Sequence, residues 1–209
     1  MSVINRLARS LGRRDEVPNQ ELARDLAAKK NKAGVKEVVE NLANKDKNIQ
    51  ADCIKVLYEV GRIEPDLIAD YAEDFVRLLR SKHNRLAWGA MRTLAEVAKA
   101  NPAAVFKNLD AIKKAKETGS VITVDNAIST LAYTAAANDK YNETIFPYLL
   151  DHLSNCRPKE VPQHSEKTLP AVNQANRADF IEVLEKRMED LSGGGLARVK
   201  KAIKLAETR

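Results

Sequence analysis

Four side chains able to ligate a metal, His152, Cys156, Glu160 and His164, fall within 13 residues of one another. Thiolate and imidazole donors suit zinc, and His152 and Cys156, four positions apart, share one face of a helix. No standard zinc spacing is completed, however, and the segment 155–163, with Pro158 and Pro162, reads as the longest loop. The expectation is polar loop residues and a free thiol, with no metal and no cofactor. A second set of residues suits recognition. Lys55, Arg92, Ser129 and Lys167 each stand two positions before a leucine (Leu57, Leu94, Leu131 and Leu169), and Lys201 extends the series into the last helix. Trp88 lies one turn before Arg92, and Tyr133 one turn after Ser129. If the helices stack, Lys55, Trp88, Arg92, Tyr133 and Lys167 line one exposed stripe, a basic groove with two aromatic rings. Such a groove suits an acidic peptide gripped by arginine and stacked rings, or a phosphate backbone. The plainer reading is a solvated helix face whose cations pair with Glu59 and Glu96.

No Ser-His-Asp or Cys-His set assembles with positional support, so a non-catalytic protein is expected. Gly193, Gly194 and Gly195 lack the preceding strand and following Gly-Lys-Ser/Thr of a phosphate loop. They read as the end of one helix and a hinge before the next. Lys113, Lys114 and Lys116 lie where a helix should end, and there cations complement the helix dipole.

The elements that position these residues are helices. Apolar residues recur at helical spacing in nearly every window, and alternating strand patterns are missing. Helices are predicted over 20–30, 49–62, 67–79, 85–99, 102–118, 122–135, 144–153, 165–175, 177–191 and 196–208, with a further one opening near Gly34. The β-branched run 121–124 is read as a helix start despite its strand preference. The closing leucines Leu57, Leu94, Leu131 and Leu169 are 37, 37 and 38 residues apart. A fixed period in that range, with two helices per copy, signals stacked helix pairs. Cys53, Ala90 and Ala127 form a column of small residues that lets neighbouring helices approach. The chain's 209 residues, 44% apolar and 31% charged, are enough for one such array. Its net charge of +6 permits a nucleic-acid partner without arguing for one.

With its apolar first helices, short polar turns and small-x-x-x-Leu second helices, the chain resembles the HEAT/armadillo-type superfamily, best over residues 35–175. That resemblance implies an all-α, right-handed α-α superhelix, a HEAT-like solenoid of about five to six helix pairs. It implies one domain over 1–209, with an N-terminal capping helix at 1–16 packing Leu7 and Leu11, and a C-terminal capping helix at 196–209. In such solenoids second helices line the concave surface where partners bind. The family's turn Asp is matched by Asp46, while its Arg early in the second helix is missing at Gln50, Ala87 and Val124. The function implied is a scaffold that recognises a protein partner. The alternative is a nucleic-acid-binding solenoid resembling the DNA alkylation-repair type, whose site sets a carboxylate between aromatic residues. Trp88 is the only tryptophan, no Asp lies one turn from it, and Asp125 is the nearest analogue. Cys53 and Cys156 form no paired framework, so a reducing cytoplasm is expected. No apolar run approaches the about 18 residues of a membrane span, and membrane association is not expected.

Overall fold

Asparagine, aspartate and proline mark where helices begin, and the apolar spacing between them fixes which faces are buried. The computed structural model describes residues 2–209. Its α-helices are α1 (Val17–Ala28), α2 (Lys32–Glu40), α3 (Lys47–Ile63), α4 (Ala72–Leu78), α5 (Asn84–Ala100) and α6 (Pro102–Lys107), followed by α7 (Leu109–Thr118), α8 (Val121–Ala135), α9 (Asp139–Asn155), α10 (Val161–Thr168), α11 (Arg177–Arg187) and α12 (Gly193–Glu207). No strand occurs among the described residues, as expected of an all-α chain. Asp46, Asn101 and Asn138 accept backbone N–H groups at the starts of α3, α6 and α9. Those donors have no acceptor inside the helix, so the caps are stabilising. Pro18, Pro102 and Pro162 stand in the first turns of α1, α6 and α10, where a missing N–H costs no hydrogen bond. The 121–124 run does open α8, and Ser120 Oγ accepts the Thr123 N–H at 3.3 Å.

Helix packing divides the chain into two compact units, the first ending at Thr130 and the second running from Leu131 to Arg209. In the first, α3 packs against both α1 and α5, while α2 and α4 pair with α3 and α5 respectively. Leu57 and Leu94 are fully buried, as are Cys53, Ala90 and Ala127 of the small-residue column. α3 and α5 approach closely at Gly89, where a Cβ would lie 2.7 Å from Ile54 Cγ1. Thr130 of α8 shares its hydroxyl between the Asn126 carbonyl (2.9 Å) and the Met91 carbonyl of α5 (3.2 Å). In the second unit α9 packs on α11, and α12 on α10 and α11. Leu131, Leu149, Leu153, Phe180, Leu184 and Val199 form its core.

The structure corrects several boundaries. Residues 1–16 are not a capping α-helix: Val3–Arg6 make a single 3-10 turn, and Met1 lies outside the described residues. Side chains replace the helical carbonyls there, with Asn19 accepting the Ala8 N–H at 2.9 Å and Asp52 the Arg9 N–H at 2.7 Å. Leu7 is buried as expected, but Leu11 is exposed. The predicted 102–118 helix breaks at Asn108, whose side-chain amide donates to the Ala104 carbonyl at 3.0 Å and competes with the backbone ladder. The predicted loop 155–163 is ordered, with a 3-10 turn at Pro158–Glu160 leading directly into α10. The glycine run does not stand outside the last helix. Gly193 enters α12 at a φ of +53°, a left-handed conformation that glycine adopts without a Cβ clash.

Candidate functional site

Spacing along α3 puts Lys55, Tyr58, Glu59 and Arg62 on one face, and spacing along α5 does the same for Arg85, Trp88 and Arg92. Lys55 is not the exposed cation its position in the repeat suggested. Only 5% of its surface is exposed, because Nζ is clamped between Glu16 Oε2 and Glu59 Oε1, each at 2.9 Å. Glu16, immediately before α1, reaches Arg85 Nη2 at 2.6 Å with its other oxygen, and Glu59 holds Arg62 at 3.0 Å. Burial pulls the Lys55 ammonium down, but hydrogen bonds to Glu59 and Glu16 outweigh it and hold the group above the ordinary lysine value. Burial also pushes Glu59 up, and the Lys55 contact reverses that, leaving the carboxyl below the usual range. Both groups are therefore charged at neutral pH.

Tyr58, 4% exposed, is the floor of this cluster. Arg92 Cζ lies 4.2 Å from its ring centroid and Lys55 Nζ 4.9 Å, while the Trp88 ring stands 6.1 Å away at 40°. A guanidinium over a ring face is held electrostatically by the π-quadrupole, which fixes its orientation. Trp88 and Arg92 are half-buried and form the accessible edge. Of the residues expected to act together, Lys55, Trp88 and Arg92 meet around Tyr58. Tyr133 and Lys167 belong to the second unit, half-buried on α8 and α10. Neither Tyr58 nor Glu16 is among the residues the repeat spacing singles out. Tyr58 carried a signal, one turn after Lys55 on the same face; Glu16 carried none, because its partners lie far along the chain.

Lys55 and Glu59 hold each other in their charged forms, which suits binding better than proton transfer. Burial pushes the Cys53 thiol up to about 12, so it is a packing residue and not a nucleophile. The second unit contains a different cluster. His152 on α9, Cys156 at its C-terminal cap and His164 on α10 bring one ligand atom each within 4.8 Å of the others. The ring nitrogens His152 Nε2 and His164 Nδ1 are 2.9 Å apart. Where a loop is expected over 155–163, the Pro158–Glu160 turn and the first turns of α10 bring the three residues together.

Helix pairs joined through their second helices, with a small-residue seam between copies, define a helical-repeat protein. No family model matches the chain, and no curated protein does. Solved structures are similar to it. An engineered protein covers 100% of this chain and 98% of its own at a TM-score of 0.66 and 20% identity. A designed armadillo repeat protein in complex with the peptide (KR)4 covers 90% of this chain and 85% of its own, at a TM-score of 0.65 and 14% identity. An archaeal HEAT-like repeats protein from Thermococcus onnurineus NA1 covers 93% and 98%, at a TM-score of 0.53 and 13% identity. The fold of this chain is therefore the HEAT/armadillo helical-repeat fold.

Proposed function

We propose that this protein is a non-catalytic binding module that recognises an acidic protein segment at the Trp88–Arg92 edge of the α3–α5 face. One observation carries the reading: the Arg92 guanidinium lies 4.2 Å above the Tyr58 ring, held in place beside Trp88. Lys55 and Arg85 are already neutralised by Glu16 and Glu59. The face thus presents one oriented guanidinium and one indole, and not a row of unpaired cations. A peptide carboxylate accepts from Arg92, and an aromatic or aliphatic neighbour packs on Trp88. Nucleic acid is the weaker reading, because tracking a phosphate backbone takes several cations that can release counterions. The fold supports a binding role, since one similar designed protein was solved with a bound peptide. That peptide is basic, whereas Arg92 favours the opposite charge. A cytoplasmic location belongs to the same proposal and rests on two cysteines that form no disulfide.

Trp88, the sole tryptophan, supplies the assay. A panel of acidic peptides carrying one aromatic residue, matched with basic and neutral versions, is titrated while Trp88 emission is followed. Acidic members should shift the emission, and Arg92→Glu should weaken them by about tenfold or more, as expected for loss of a charge-assisted hydrogen bond. The unfolding midpoint should barely move. Equal response to all three peptide classes, or binding indifferent to Arg92→Glu, overturns the reading.

A further inference from the structure

We infer that the second unit holds a divalent transition-metal ion of the zinc class, ligated by His152, Cys156 and His164. The ligands are arranged by local structure that the sequence pattern did not reveal. His152 lies in the last turn of α9, and the Cys156 N–H donates to the His152 carbonyl at 2.8 Å, so the backbone fixes these two one turn apart. The Pro158–Glu160 turn then reverses the chain, and α10 carries His164 back against His152. Glu160 secures that reversal by accepting the Arg157 N–H at 3.3 Å.

The distances suit the ion. Tetrahedral zinc, with Zn–N of about 2.0–2.1 Å and Zn–S of about 2.3 Å, sets two nitrogens about 3.3 Å apart and nitrogen about 3.6 Å from sulfur. The imidazole nitrogens stand at 2.9 Å, and all three ligand atoms lie within 4.8 Å. The rings must open by a few tenths of an ångström, and the sulfur must approach by at most about 1.2 Å, to reach that geometry. Rotation about side-chain torsions covers this range with the helices fixed. On coordination the thiol proton leaves to solvent. The proton shared between the imidazoles moves to a ring nitrogen facing away from the metal, and water completes the fourth position.

The surroundings support the site. His164 is fully buried, an unusual place for an imidazole in a helix core. Arg187 of α11, its side chain only 12% exposed, donates to the carbonyls of Leu153 (2.7 Å), Ser154 (2.8 Å) and Cys156 (2.8 Å). It pins the segment carrying the sulfur and sets a positive charge beside the thiolate that coordination creates, the role outer hydrogen-bonding partners play around metal sites. The bound ion would tie α9 to α10 and add its binding free energy to the stability of this unit.

The test uses the full chain stripped with a chelator and titrated with Co2+, then with Zn2+ in competition. Expected are one equivalent of Co2+ per chain, intense visible d–d bands of a tetrahedral site and a thiolate-to-cobalt charge-transfer band, all displaced by Zn2+. Cys156→Ser should remove the charge-transfer band, and Cys53→Ala should leave it intact. His152→Ala, at a half-buried position, keeps the fold testable where loss of His164 endangers it. It should weaken Zn2+ by more than the about 10–100-fold that losing an outer partner costs, with an unchanged far-ultraviolet dichroism spectrum. A cobalt spectrum without a thiolate band, a band that survives Cys156→Ser, or affinity indifferent to His152→Ala overturns the assignment. None of these readouts involves Trp88 or Arg92, so the site and the proposed peptide edge stand or fall separately.

Discussion

Replacing Lys55 with methionine asks whether the α3–α5 face is built on a buried charge set or merely decorated by one. Methionine keeps the length and apolar stem but removes the ammonium that sits 2.9 Å from both Glu16 and Glu59. Glu16 is exposed and retains Arg85, so its loss matters little. Glu59 is left buried, facing Arg62, whose own side chain is 64% exposed. Breaking a buried pair from one side costs about 3–5 kcal/mol, and the remaining help from Arg62 places the expectation near about 3 kcal/mol. Lys55→Met combined with Glu59→Leu should recover most of that loss, because exchanging an entire buried pair for apolar residues is neutral or better. Urea unfolding followed by circular dichroism at pH 7 reads both. Acid supplies a second reading. The depressed Glu59 carboxyl contributes stability above its unfolded value of about 4.3 and loses it as pH falls through the lower folded value. The raised Lys55 contributes fully below about 10.4 and loses it only as pH rises through the folded value. The gap between wild type and Lys55→Met should therefore be widest between those limits and close in acid, where the stranded carboxyl is protonated. A cost below about 1 kcal/mol at pH 7, or a gap that stays flat down to pH 3, would refute the reasoning and return Lys55 to the surface as a ligand-binding cation.

Gly89→Ala sets a Cβ 2.7 Å from Ile54 Cγ1 at the α3–α5 seam. Overpacking of about 1–3 kcal/mol should outweigh the about 1 kcal/mol gained in helix propensity, and the Gly89→Ala, Ile54→Ala double variant should lose less in urea unfolding than the two single losses summed. Cys53, with its thiol pushed up to about 12 by burial, should resist an aromatic disulfide reagent in the native state and react only at the rate of unfolding, as peptide mapping would show; fast native labelling at Cys53 contradicts its burial.

Much of the architecture was legible because it repeats. Leu57, Leu94 and Leu131 announced the period and are all fully buried, and Cys53, Ala90 and Ala127 announced the seam. Asn101, which caps α6 just before Pro102, follows the ordinary preference for asparagine and proline at a helix start. What the pattern could not reveal is how one helix answers another. Lys55 occupies the same register as Arg92, but a lysine stem lies comfortably in either water or a core, so spacing does not decide its exposure. Its burial is decided with Glu59 by Glu16, which lies at the end of the segment expected to be the N-terminal capping helix. The His152–His164 pairing was hidden for the complementary reason. Pro158 and Pro162 look like loop punctuation, although proline in a first turn starts a helix as readily as it ends one. At the N-terminus, helical spacing of Leu7 and Leu11 was outvoted by Asn19 and Asp52, which capture the backbone amides.

The shared hydroxyl of Thr130 has a consequence for how such a chain diverges. Its stronger acceptor on α5 is the main-chain carbonyl of Met91 at 3.2 Å, with the Met91 sulfur a weaker second at 3.8 Å, so most of the stitch between copies survives a change of side chain at position 91. Neighbouring modules can drift in composition, over evolutionary time or at a designer's hand, without unfastening from each other. A docking bond made chiefly to the main chain holds the seam in place while the side chains around it change.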